Sequence, residues 1–352
     1  MPDWSKSMQQ TYEYFTVDPK TWMDREHIAT VKKCSISRDS EAGTLGSATI
    51  DVVELLGETY VRAYLVTIQN GITERFALGT FLLQTPSTDF DGKISSTSVD
   101  AYTPLLELKE NPPPIGYSIL KGENIMEHAY RIIREKARAP VTWTQCETTL
   151  YTDFVANADD TWLSFLTDFI ANAKYVFALD EMGRILFSPI QDTASLQPVW
   201  TFDDDNCSIL YPETNTKHDL YGIPNVVEVI YSKGGEYYDV IVKNEDPNSP
   251  TSIINRGREL THRVTAPDTL GYVDEKQIKE YAERLLRELS TLEYTVVIKH
   301  GYCPVRLDDC IRINYKKADL VNVKARVKSQ SIECVPGCPV KTTAVFTKKL
   351  WG

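Results

Sequence analysis

The chain has 352 residues, 42% of them hydrophobic and 25% charged, and a net charge of −11 from 49 acidic and 38 basic side chains. That length buries more than one core and fits two to four domains, and the composition excludes wholesale disorder. The acidic balance, with no basic run of five to eight residues, excludes a sequence-reading DNA-binding protein; it suits a surface past which nucleic acid slides without adhering, because like charges repel within a Debye length.

The opening residues MPDWSKSMQQ have neither a basic start nor an apolar run, and nowhere do about 18 apolar residues follow one another, so the sequence predicts no signal peptide and no membrane segment. Residues 1–22 read as an N-terminal arm, in which QTYEYFTVD is extended or frayed. From 23 to 111 strand follows strand: ATIDVVELL and TYVRAYLVTI are rich in β-branched and aromatic residues, Asn70-Gly71 is a hairpin signal, and a second turn is expected at Asp91-Gly92. Five or six short strands at this spacing predict a sandwich or small barrel. The three prolines of ENPPPIGY then mark a boundary.

From 112 to 215 the apolar period lengthens to that of a helix. Ile125, Ala129, Ile132 and Ile133 line one helical face, and Trp162, Phe165, Leu166, Phe169 and Ile170 line another, with Asp159 or Asp160 as its expected cap. KYVFALDEMGRILFSPI predicts a hairpin folded at Asp180 to Gly183, completing a small α+β insertion domain. From 216 to 352 strands return, interrupted by one helix from Asp274 to Ser290 whose inner face carries Ile278, Tyr281, Ala282, Leu285, Leu286 and Leu289, with Asp274 as cap. The predicted class is α+β, mainly β, with two β-rich units flanking the insertion.

Standard catalytic and phosphate-binding signatures are absent: no GxSxG, GxxxxGK[ST], HExxH or strand-to-helix GxGxxG. The five histidines, at 27, 128, 218, 262 and 300, are dispersed. FDDDN at 202–206 lacks the alternating ligands and glycine of a calcium loop and reads as a polar turn. Aromatic residues such as Trp162 and Tyr294 fall in core phases rather than forming a sugar-stacking platform. Seven cysteines without an export signal predict thiols or metal ligands instead of a disulfide framework.

Four cysteines cluster late, in HGYCPVRLDDC and ECVPGCPV: Cys303, Cys310, Cys334 and Cys338. If the strands 311–315 and 323–334 pair as a hairpin centred near residue 319, Cys334 and Cys338 come near Cys303, and Cys310 joins them only if PVRLDD is a loop. Four thiolates in such an arrangement would hold a [4Fe–4S] cluster or a zinc ion. The alternative is that all four pack as small hydrophobes, and His300 is a further potential ligand or an ordinary strand-end side chain.

The succession RFALGTFLLQTPSTDFDGKISSTSVDAY, the helical insertion, DLYGIPNVVEVIY, NEDPNSPTSIINRGREL, EYAERLLRELSTLEYTV and GYCPVRLDDCIRINY resembles the tail hub proteins of tailed bacteriophages and phage-tail-like particles. The resemblance implies two tube-like β-barrel domains per chain, residues 23–111 and 216–352, around the insertion. It further implies a homotrimeric, pseudo-sixfold ring joining the hexameric tail tube or distal tail protein to a threefold tip, spike or fibre protein, at the distal end of a virion tail assembled in the host cytoplasm. The tape-measure protein would be a neighbour, and DNA would cross the lumen unbound. Relatives similar to the tail-tip protein of lambda-like phages carry a cysteine-bound iron–sulfur cluster, which the four cysteines resemble in order and rough spacing; contractile-tail hubs lack it. The competing functions are a phage-associated cell-wall hydrolase and a host-carbohydrate-binding module.

Overall fold

Stretches in which apolar and polar residues alternate become strands through most of the chain, and the fold is mainly β. A computed structural model of the protein describes residues 2–53, 57–90, 92–93, 95–205, 208–218, 220–233, 236–265 and 274–351. In chain order it contains β1 (Gln9–Val17), β2 (Asp24–His27), β3 (Val31–Asp39), β4 (Gly46–Val52), β5 (Tyr60–Gln69), β6 (Ile72–Phe90), β7 (Ser95–Tyr102) and α1 (Leu106–Lys109). Next come β8 (Ser118–Ile119), α2 (Ile125–Lys136), β9 (Phe154–Val155), α3 (Trp162–Ala171), β10 (Tyr175–Leu179), β11 (Ile185–Pro189) and β12 (Trp200–Asp203). The remainder is β13 (Leu210–His218), β14 (Val226–Lys233), β15 (Glu236–Lys243), α4 (Ile253–Arg256), β16 (Thr261–Thr265), α5 (Glu275–Leu289), β17 (Thr291–Gly301), β18 (Cys310–Tyr315), β19 (Leu320–Glu333) and β20 (Pro339–Lys349). The chain divides into two compact units, residues 1–214 with 297–344 and residues 215–296 with 345–352.

The first unit is organised by a sheet whose antiparallel order is β19-β3-β4-β7-β6-β5-β1-β2. Besides its neighbour β20, β19 pairs with β18 opposite residues 320–326 and with β3 opposite residues 329–333. One sheet therefore draws on both the early and the late strand-rich segments. The predicted arm QTYEYFTVD is β1, in register with β5 from Gln9↔Ile68 to Val17↔Tyr60. Asn70-Gly71 closes the β5–β6 hairpin, with φ of 51° and 77° that the right-handed strand twist demands of a two-residue turn. The other expected turn includes Asp91, which lies outside the described residues.

The insertion packs α2, α3 and the β10–β11 hairpin over a core that includes Ile125, Ala129, Ile132, Ile133, Trp162, Phe165, Leu166, Phe169 and Ile170, the two faces expected from the periodicity. The cap of α3 differs from expectation. Thr161 accepts from the Ser164 amide at 3.2 Å and its own amide donates back to Ser164 Oγ at 3.0 Å, whereas Asp160 accepts from the Asn157 amide and the Ser164 hydroxyl one step outside the helix. A cap must sit in extended backbone directly before the first helical residue, and with Trp162 in that place the role falls to Thr161.

The hairpin turn at Asp180–Gly183 reaches the main sheet. Gly183 has φ 75°, and a Cβ there would lie 2.7 Å from Thr80 Cβ, so only glycine allows the approach. Arg62 on β5, 1% exposed, donates to Asp24 at 2.6 Å, Thr80 Oγ1 at 2.9 Å, Trp22 O at 3.3 Å and Met182 O at 3.0 Å, tying sheet and hairpin together.

The second unit has the sheet order β15-β14-β16. Ile278, Ala282 and Leu286 of α5 pack on Val227, Val229, Tyr231, Val240 and Val242. Asp274 caps α5 as expected, accepting from the Gln277 amide at 2.8 Å while Gln277 Oε1 accepts from the Asp274 amide at 3.1 Å. Among the described residues no helix is long and apolar enough to cross a membrane.

Candidate functional site

The ECVPGC segment follows β19 directly. β19 and β3 are in register through Ile332↔Ile36 and Glu333↔Ser35, and one step further the Cys334 amide donates to Cys34 O at 3.0 Å. Cys34, 300 residues earlier and in the inward phase of β3 beside Ile36, is thus the direct neighbour of Cys334. The chain then reverses: the Cys338 amide donates to Val335 O at 2.8 Å, with Gly337 at φ 89° and Cys338 at φ 39°. The Tyr12 hydroxyl of β1 clamps that turn, donating to Val335 O at 2.7 Å.

Cys34, Cys334 and Cys338 belong to one buried cluster with Tyr14, and Tyr12 packs on it. Hydrogen bonding between the Cys334 and Cys34 thiols, and then burial, push the Cys334 thiol far up. Burial pushes Cys338 up to about 12. Burial likewise raises the phenols of Tyr12 and Tyr14, with the adjacent sulfurs adding to it. Cys334 and Cys338 are therefore protonated at neutral pH, whereas metal ligands and nucleophiles must be thiolates.

Cys303 lies elsewhere, in the 302–309 loop, with Sγ 3.9 Å from His300 Nδ1. The geometry excludes a Cys–His couple. His300 Nδ1 faces Gly301 O at 2.7 Å and must donate to it, so Nε2 accepts from the Thr342 hydroxyl at 2.8 Å. The chain of donors continues backward, from Arg38 to Gln330 Oε1 at 3.2 Å and from Gln330 Nε2 to Thr342 Oγ1 at 3.4 Å. Burial lowers the His300 pKa to about 4 and pushes the Cys303 thiol up, so the pair is a neutral imidazole beside a neutral thiol.

Cys310 opens β18 opposite Arg326, with Sγ 4.0 Å from Thr193 O. Arg326 precedes Cys334 by eight residues along β19, about 26 Å at roughly 3.3 Å per residue. The expectation that PVRLDD is a loop holds, but the loop does not return Cys310 to the other sulfurs. Cys303, Cys310, Cys334 and Cys338 do not fit a single [4Fe–4S] or tetrahedral zinc centre, and among the described residues no group of three or more His, Cys, Asp or Glu side chains is placed to hold a metal ion.

A second concave region, a cavity of about 220 Å³, lies between the hairpin turn and β3 and β6 and is lined by Arg38, Glu181, Arg306 and Asp309 among others. Glu181 accepts from Arg306 Nε at 2.8 Å and Nη2 at 2.7 Å, a bidentate pair. Burial raises the Asp309 carboxyl, which accepts from the Arg306 amide. FDDDN is a turn only in part: Phe202, buried, and Asp203 end β12 in register with β18, Asp203 accepts from Asn314 and Asp204 from the Lys316 amide, and Asn206 lies outside the described residues.

No protein-family model matches the chain, and no curated protein matches it by sequence. Its fold is that of solved phage tail proteins, in keeping with the resemblance seen in the sequence. A tail protein from Neisseria meningitidis aligns at TM-score 0.62 and 11% identity over 97% of this chain and 98% of that one. The 43 kDa tail protein of prophage MuSo2 from Shewanella oneidensis aligns at TM-score 0.61 and 9% identity over 96% and 98%. A prophage tail protein from Listeria monocytogenes aligns at TM-score 0.50 and 10% identity over 94% of each chain.

Proposed function

We propose that the protein is a structural hub of a bacteriophage tail or phage-tail-like particle. The observation that carries this reading is the end-to-end likeness to phage tail proteins, over 96% or more of both chains for two of them. The two β-rich segments supply two tube-like barrels per chain, and three chains form a pseudo-sixfold ring. One face of the ring meets the hexameric tube or distal tail protein, and the other meets a threefold tip, spike or fibre. The net charge of −11 supports a lumen through which the tape-measure protein and DNA pass without adhering. Function then resides in symmetry matching and docking. Native mass spectrometry of the purified chain with its tail tube protein is expected to show three copies per complex. A mass that stays at one copy with tail partners present would overturn the proposal.

A further inference from the structure

We infer that Cys34 and Cys334 form a latent disulfide, a covalent staple between β3 and the end of β19 that closes when the protein meets a small-molecule disulfide. The inference stands independently of the tail reading. All six described cysteines are free thiols. Cys34 and Cys334 occupy opposed positions of an antiparallel register and are joined by a 3.0 Å backbone hydrogen bond. The Cα separation of such a hydrogen-bonded pair is about 5.5 Å, inside the range that a disulfide spans. Both side chains lie on the inward face that holds Ile36 and Ile332, so their sulfurs point into the same space. No other two described cysteines occupy opposed strand positions: Cys310 faces Arg326, Cys303 sits in a loop beside His300, and Cys338 lies beyond the turn.

Cys334 is the entry point. It is 8% exposed, against 0% for Cys34 and Cys338, and lies just past the last ladder pair of β19, where opening requires the least disruption. With oxidised glutathione as the co-reactant, local opening of the strand end brings Cys334 into water, where its thiol loses a proton; the thiolate attacks one glutathione sulfur, the glutathione S–S bond breaks, and one glutathione leaves as a thiolate that takes up a proton. The Cys34 sulfur then attacks Cys334 Sγ, the mixed disulfide breaks, and the second glutathione leaves with the Cys34 proton. The protein gives up two electrons and two protons, and glutathione disulfide takes them up to become two thiols.

The test is to incubate the full chain with oxidised glutathione, both in native buffer and in urea just below the unfolding transition, then trap free thiols and digest without reductant. The expected result is a mass loss of two hydrogens, a drop from the seven thiols of the sequence to five, and a cross-linked peptide pair containing Cys34 and Cys334. Cys338→Ser is expected to give the same pair. Seven thiols remaining under both conditions, or a Cys334–Cys338 link instead, overturns the inference.

Discussion

Arg62 shows how much of this fold rests on one buried cation. Its guanidinium donates to Asp24, Thr80 and two carbonyls at 1% exposure, so Arg62→Ala takes from Trp22 O its donor and from Asp24 its closest cation, leaving that carboxylate to Tyr64 and the more distant Arg75, while Met182 O keeps Trp22 Nε1. Breaking such a buried pair costs about 3–5 kcal/mol. Urea unfolding of Arg62→Ala is expected to show a loss of that size, and a midpoint equal to wild type would contradict the geometry. His300 sets a pH dependence of defined sign. The unfolded imidazole takes up a proton below about 6.5, and the buried one only below about 4. Between those values the unfolded state binds more protons, so stability falls as pH falls through that window and levels off beneath it, by about 3 kcal/mol in all. His300→Gln removes the titration, and its stability should fall less than that of wild type between pH 7 and pH 4.5; equal losses would mean that His300 is not held neutral. The same scale explains what the sequence hid about the thiols. Cys34 stands outside the late cysteine group, and the sequence offers no reason to place it beside Cys334, because nothing local to either strand encodes a pairing across 300 residues. Cys310 was grouped with the others by proximity in sequence, and its separation follows from the β18–β19 register.

At the scale of elements, local chemistry was readable wherever it is self-contained. The α2, α3 and α5 faces, the Asn70-Gly71 hairpin and the β10–β11 hairpin all follow from periodicity and turn residues close together in the chain. The α3 cap was expected at Asp159 or Asp160 and falls one or two residues later, at Thr161, because three residues able to cap stand in a row and backbone conformation, which composition does not encode, decides among them. For α5 the reciprocal bonds of Asp274 and Gln277 satisfy two otherwise orphaned amide groups, and the Asp274 carboxylate also lies at the positive end of the helix dipole. Asp274→Ala is therefore expected to destabilise the second unit by about 1 kcal/mol. Asp274→Asn keeps the acceptor and should recover most of that loss in the same urea titration. Alanine and asparagine variants of equal stability would show that the bond does not matter there, and the difference between asparagine and wild type reads the charge.

For the whole molecule, strand content was legible but strand order was not. β19 divides its edge between β18 and β3, a long-range choice made by matching two inward faces, and the early and late thirds consequently share a sheet. The boundary between compact units also departs from the linear segments, since residues 297–344 return to the first unit. Each unit has its own core. Phe165, 1% exposed, lies in the insertion cluster, and Leu286, 0% exposed, lies between α5 and the β15-β14-β16 sheet. Truncating either side chain to alanine removes about 2–5 kcal/mol of packing, and the clusters have no residue in common. Amide hydrogen exchange reads the outcome locally, because protection reports the free energy of the smallest opening that frees each amide. Leu286→Ala is expected to speed exchange in β14, β15 and α5 while α2 and α3 keep wild-type protection, and Phe165→Ala to do the reverse. Protection lost across both units in both variants would mean that the chain opens as one cooperative body and that its two cores are energetically a single one.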